Sequence, residues 1–191
     1  MPEVLSAPAG TAGRVIEGTV HVAVADMVGM VTLKADLSAP AVPAALQDVM
    51  GVGVPMPLTV WANGDRSVVW MAPDEVLLVM AAEAVDDAVA RLEAALEGVH
   101  TLLCDVSSAR TMFRLEGSGV GEVLAKGAPI DFRDAAFAVG TARRTHLGPV
   151  AVGIWRESEM VWTLVCFRSY APYTADWLAA ATAPGTTVGH F

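Results

Sequence analysis

Glycine and proline cut this chain into short pieces, which limits what it can build. The 191 residues include 17 Gly and 11 Pro. The longest stretch without a charge, Val49–Gly64, is interrupted by Pro55 and Pro57. At about 16 residues it falls short of the ~18 apolar residues that a membrane-crossing helix needs. Yet 54% of the residues are hydrophobic, above the ~45–50% of an ordinary soluble domain even with Gly counted. Short elements with this much apolar surface predict packed layers of helix and sheet, with a surplus that marks a subunit interface.

The order of the pieces is informative. Val28–Lys34 reads as a strand, and Ala39–Met50, with Pro40 and Pro43 early and Gly51 as a stop, as a short helix. Arg66–Met71 and Val76–Met80 flank a Pro-Asp turn and form a hairpin. Val85–Leu96 sets Val85, Ala88, Val89, Leu92, Ala95 and Leu96 on one face, with Asp86 and Asp87 in the first turn and Gly98 behind. Thr101–Val106 is the next strand. This is β-α-β-β-α-β, the split βαβ order of ferredoxin-like folds.

From Thr111 the order returns loosely. A strand (Thr111–Leu115) leads to a helix (Ser118–Lys126) capped by Ser118, and Ala136–Thr145 supplies a strand or two pieces of one. A hairpin of Val150–Arg156 and Met160–Val165 and a helix over Ala171–Ala181 complete it. The expected fold is α/β (α+β), built of duplicated βαββαβ ferredoxin-like halves. Residues 27–191 form a single domain with halves at 27–107 and 108–184, and residues 1–26 an N-terminal arm or edge strand.

Charge excludes several functions. Twenty-one acidic against 12 basic side chains give a net charge of -9, unsuited to a nucleic-acid backbone or an anionic membrane. The first residues, MPEVLSAPAG, lack a basic segment followed by an apolar one, so a cytoplasmic location is expected. Cys104 and Cys166 lie in apolar runs and read as buried free thiols of a reducing compartment. His21, His100, His146 and His190 are scattered singly, so no dedicated zinc site is expected. Gly117-Ser118-Gly119-Val120-Gly121 stands where a dinucleotide loop would. Its sixth position is Glu122, whose carboxylate repels phosphate, so it reads as a turn.

Two stretches concentrate polar chemistry. Asp105, Ser107 and Arg110 fall where one strand gives way to another. There they brace the crossover, or Arg110 meets a carboxylate, either Asp105 or a ligand's. Arg168, Ser169 and Tyr170 precede the last helix, with Ser169 as its N-cap. Tyr170 and Trp177 share a helix face as core or as interface anchors. No catalytic, cofactor-binding or metal residue is assigned.

Several motifs, in order, resemble the gamma subunit of heterotetrameric sarcosine oxidase. They are Trp70-Met71-Ala72-Pro73-Asp74-Glu75 with Leu77-Leu78, Asp105-Val106-Ser107 with Arg110-Thr111, and Leu124-Ala125-Lys126-Gly127-Ala128-Pro129-Ile130-Asp131. Trp155-Arg156 and Phe167-Arg168-Ser169-Tyr170-Ala171 with Trp177-Leu178 follow. Ala128 stands where that family often carries Cys, and Val76 where it often has Trp. The resemblance implies a fold like the folate-binding domain of glycine-cleavage aminomethyltransferase. It also implies a non-catalytic role in assembling a flavoenzyme that oxidatively demethylates sarcosine to glycine, with release of hydrogen peroxide and formaldehyde or methylene-tetrahydrofolate. The alpha subunit would be the main contact, with beta and delta subunits in the complex. FAD, FMN, NAD and zinc would belong to the partner subunits, and none of them to this chain. One rival is a stand-alone folate-dependent one-carbon transferase, in which Arg110 or Arg168 holds glutamyl carboxylates of tetrahydrofolate. Another is a gamma-type subunit of a related N-methyl amino-acid dehydrogenase, such as N-methylglutamate dehydrogenase.

Overall fold

Alternating apolar side chains sort the short runs into two antiparallel sheets, one in each of two units. The computed structural model describes residue 11 and residues 13–189. The remainder of the expected arm, residues 1–10 and 12, lies outside the described residues. β1 (Val15–Glu17) and β2 (His21–Val24) come first, followed by β3 (Gly29–Lys34), α1 (Ala41–Met50) and β4 (Val60–Asn63). Next come β5 (Arg66–Ala72), β6 (Glu75–Met80), α2 (Val85–Ala95) and β7 (Leu102–Asp105). The chain continues with β8 (Arg110–Glu116), α3 (Val120–Ala125), β9 (Ala142–Leu147), β10 (Val150–Arg156), β11 (Val161–Phe167) and α4 (Ala171–Ala181).

One unit is Met27–Ser107, with strand order β4-β5-β6-β3-β7. Without β4 it is a βαββαβ arrangement. Val31, Leu33, Val68 and Leu78 on one face of the sheet pack with Val42 and Leu46 of α1 and Leu92 of α2. Each such buried side chain is worth about 1.5–3 kcal/mol. Arginines close the C-terminal end of α1: Arg66 donates to the Val49 carbonyl, and Arg91 to Asp48 O at 3.1 Å.

The other unit combines the described residues up to Asp26 with those from Ser108 onward, in the order β1-β2-β8-β11-β10-β9. Its β9-β10-β11-β8 repeats the β4-β5-β6-β3 of the first unit. The fifth position is filled by β7 in one and by β2, from the N-terminal side, in the other. β1 is the edge strand. Phe113, Leu115, Ile154 and Leu164 pack with Leu124 of α3 and Ala175 and Leu178 of α4.

Five local expectations are corrected. β4 is an additional strand, hidden in the Gly/Pro-rich segment because its residues are exposed or half-buried and show no alternation. Its pairing with β5 holds it. Within Ala136–Thr145 only Ala142 onward is strand, since turns bonding to Arg133 O occupy 136–137 and Gly140 has φ 85. Ser118 does not cap α3, whose N-cap is Gly119 with no side-chain bond. Ser169 does not cap α4, because a 3-10 turn, Arg168–Tyr170, leads into the helix and supplies backbone bonds instead. Cys104 is exposed, lying on the edge strand β7, whereas Cys166 is buried.

Candidate functional site

In the Met27–Ser107 unit, the side chains at the end of β7 hold backbone. Asp105 Oδ1 accepts from the Ser107 amide (2.9 Å) and the Ser107 hydroxyl (2.6 Å). Ser107 Oγ accepts from the Met30 amide (2.9 Å), and the Val106 amide donates to Met30 O (2.8 Å). An acid followed two residues later by a hydroxyl is a local turn device. Here it clips the end of β7 to the start of β3.

In the second unit, Arg110, Arg168, Ser169 and Tyr170 gather at one end of the β8–β11 pair. Arg110 faces Phe167 in register, its guanidinium carbon 5.9 Å from the ring centroid. The Arg168 amide donates to Ala109 O at 2.9 Å. Phe167, Tyr170 and Tyr173 are 53%, 48% and 46% exposed. Trp177 lies two turns along α4 and is half-buried. Its indole fills the space a side chain at Gly127 would need: a Cβ there would lie 2.4 Å from Cζ2. Beside it, Lys126 Nζ donates to Ala181 O (2.7 Å) and Thr186 Oγ1 (3.1 Å), placing its charge at the negative end of α4. The Lys-Gly and Trp-Leu motifs, some fifty residues apart in sequence, are thus one packing unit.

Arg156 is a hub that the sequence reading leaves without a role. It is 7% exposed and donates to Asp134 Oδ1 (2.6 Å) and to the carbonyls of Phe137 (3.0 Å), Ser158 (3.2 Å) and Glu159 (3.0 Å). Its guanidinium also lies 4.9 Å from the Trp162 ring. Phe132, Phe137 and Trp162 cluster there, with Phe137 stacked on Trp162 at 4.8 Å. A single charge ending the apolar run Val150–Trp155 is the signal that could have found it, because a buried guanidinium must be given acceptors. On the other face of the strand pair, Glu157 accepts from Trp155 Nε1 (3.2 Å), Thr163 Oγ1 (2.6 Å) and Arg114 Nη1 (3.2 Å).

A cleft of about 780 Å³ opens beside this hub, lined by residues including Ser118, Glu122, Lys126, Arg133 and Arg156. Its charged groups mostly engage the protein itself. Glu122 accepts from the Val188 and Gly189 amides, and Arg133 binds Asp131 and holds its carboxyl down at about 2. The glycine run serves close packing, since a Cβ at Gly121 would come within 3.2 Å of Phe132 O. Among the described residues no three His, Cys, Asp or Glu side chains gather in a way that would hold a metal ion. No helix among them is long and apolar enough to cross a membrane.

The architecture defines a class first. Aminomethyltransferase T of the glycine cleavage system from Bartonella henselae aligns with TM-score 0.59 over 79% of this chain and 43% of that one, at 14% identity. That likeness is one of fold alone. The particular family follows from sequence. The model of the sarcosine oxidase, gamma subunit family matches residues 34–184, and the chain belongs to that family. Sarcosine oxidase subunit gamma from Corynebacterium sp. (strain P-1) is 34% identical over 140 residues, covering 72% of this chain and 68% of the relative. A chain of heterotetrameric sarcosine oxidase from Corynebacterium sp. U-96, solved in complex with pyrrole 2-carboxylate, aligns with TM-score 0.81 at 27% identity. The alignment covers 94% of this chain and 93% of that one.

Proposed function

We propose that the chain is the gamma subunit of a heterotetrameric sarcosine oxidase and serves its assembly rather than a chemical step. The carrying observation is the near full-length match to a chain of that heterotetramer, joined to the family match over residues 34–184. The way its polar clusters are spent supports an architectural role. Asp105 and Ser107 hold the β3–β7 backbone, Arg156 holds three carbonyls, and Lys126 holds the end of α4. On this reading residues 27–191 act as a single domain of two halves. Arg110, Arg168, Ser169, Tyr170 and Trp177 brace the fold or meet the alpha subunit, the main contact, with beta and delta completing a cytoplasmic complex. FAD, FMN, NAD and zinc reside in those partners, and tetrahydrofolate takes up the one-carbon unit elsewhere in the complex.

The test is light scattering on the isolated chain beside calorimetric titration with tetrahydrofolate. An assembly subunit self-associates or stays inert and takes up no folate. A monomer that binds folate at micromolar affinity is instead the one-carbon transferase.

A further inference from the structure

Glu122 and Lys126, one helical turn apart on α3, both reach to the segment that follows α4. Lys126 Nζ donates to Thr186 Oγ1 at 3.1 Å. Glu122 Oε1 accepts from the Val188 amide and, at 2.9 Å, from the Gly189 amide. Thr187, between these two grips, lines the cleft of about 780 Å³ together with Glu122 and Lys126. The segment is therefore part of the cleft wall.

The two grips differ in kind. Thr186 is anchored to the end of α4: its hydroxyl lies 2.9 Å from Ala181 O and 2.7 Å from Ala183 O, and its amide donates to Ala183 O at 3.2 Å. Gly185, with φ 82, makes the turn that brings Thr186 back over the helix end. Lys126 also donates to Ala181 O at 2.7 Å, and the fully buried Thr182 bonds back to Leu178 O through both its amide and its hydroxyl. Beyond this anchor the chain is exposed at Thr187, Val188 and Gly189, with Val188 69% exposed. Little apolar surface is buried there, and a segment held by polar bonds rather than burial opens at far less cost than the core beneath it. The Glu122 carboxylate, taking two successive backbone amides, is the latch.

We infer that residues 187–189 are a strap that closes one side of the cleft, anchored through Thr186 and latched by Glu122, and that the strap opens while α4 stays folded. Opening removes Thr187 from the cleft wall and uncovers Lys126. The device is independent of the assembly reading, which stands or falls by its own experiment.

The test is amide-resolved hydrogen exchange on the full chain by NMR, with selective acylation of lysine as a second readout. In wild type the Val188 and Gly189 amides should exchange about tenfold or more slower than an unstructured chain, despite their exposure. Glu122→Ala should bring both to within about twofold of the unstructured rate and leave the Thr182 amide of α4 unchanged. Glu122→Gln keeps an acceptor oxygen and should keep part of the protection. The chain has two lysines, Lys34 and Lys126, so Lys34, in the other unit, serves as the internal reference for acylation. Val188→Pro removes one latch donor without touching Glu122 or Lys126, and should raise the reactivity of Lys126 relative to Lys34 about threefold or more. Free exchange of Val188 and Gly189 in wild type overturns the strap. Unchanged protection in Glu122→Ala overturns the latch, and unchanged Lys126 reactivity in Val188→Pro overturns closure of the cleft. Loss of Thr182 protection along with that of Val188 means that α4 frays as a whole and refutes separate opening. Should circular dichroism show Glu122→Ala unfolded, Glu122→Gln and Val188→Pro decide.

Discussion

Replacing Gly127 with alanine should destabilise this chain, and should do so only because of Trp177. A Cβ at Gly127 would lie 2.4 Å from Cζ2 of Trp177 and 3.1 Å from Cε2 and Cη2. Carbon atoms in contact prefer about 3.5–4 Å, so the indole must retreat by about 1 Å from a partly buried position against α3 and the core. Overpacking of this kind costs about 1–3 kcal/mol. Gly127 is outside the left-handed region, so the same substitution recovers about 0.4–1 kcal/mol by restricting the unfolded chain. The net expectation is a loss of about 1–2 kcal/mol in wild type. With the ring removed, as in Trp177→Ala, only the favourable part remains and Gly127→Ala becomes stabilising. Urea unfolding of the four proteins in this double-mutant cycle reads the coupling. If Gly127→Ala stabilises wild type, or costs as much without the indole as with it, the packing argument is refuted.

Three other perturbations have defined outcomes. Arg156→Met should cost about 3 kcal/mol or more, because three carbonyls lose a charged donor in a buried site. Asp134→Asn should cost less than about 1 kcal/mol, since its side chain is 88% exposed; equal losses in urea unfolding would contradict this. Iodoacetamide under native conditions should label Cys104, which is exposed. It should spare Cys166, whose thiol burial pushes up to about 11, and mass spectrometry after digestion distinguishes the two. That raised value means the folded chain holds the Cys166 proton more tightly than the unfolded chain. The resulting stability is fully present below about pH 9 and is lost as pH rises through about 11. Wild type should therefore lose more stability than Cys166→Ala between those values, and parallel pH profiles would deny the linkage.

Elements with a strong local period were legible in the sequence. The apolar spacing of Val85–Leu96 places α2 within a residue, and Gly51 with φ 74 ends α1 where the reading expects a stop. Ala95, expected on the apolar face, is exposed, while Leu96 beside it is buried. What escaped depends on contacts distant in sequence. β2 pairs with β8 across some ninety residues, and nothing local in His21–Val24 announces its partner. Cys104 sits in an apolar run yet is exposed, because only the sheet order reveals that β7 is an edge. Ser118 and Ser169 look like caps by position, but backbone turns do that work. Of the candidate residues, Asp105 with Ser107 and Arg168 with Tyr170 announce themselves through local spacing. The grip of Glu122 and Lys126 on the segment after α4 does not, since it joins residues 60 to 67 apart in sequence.

The central claim is tested most directly by tagging this chain, expressing it with alpha, beta and delta subunits of a heterotetrameric sarcosine oxidase from the same source, and weighing what the tag recovers by native mass spectrometry. The account expects one complex holding all four subunits in equal amounts, with sarcosine-oxidising activity. Recovery of this chain as a folded species free of the other three would contradict it.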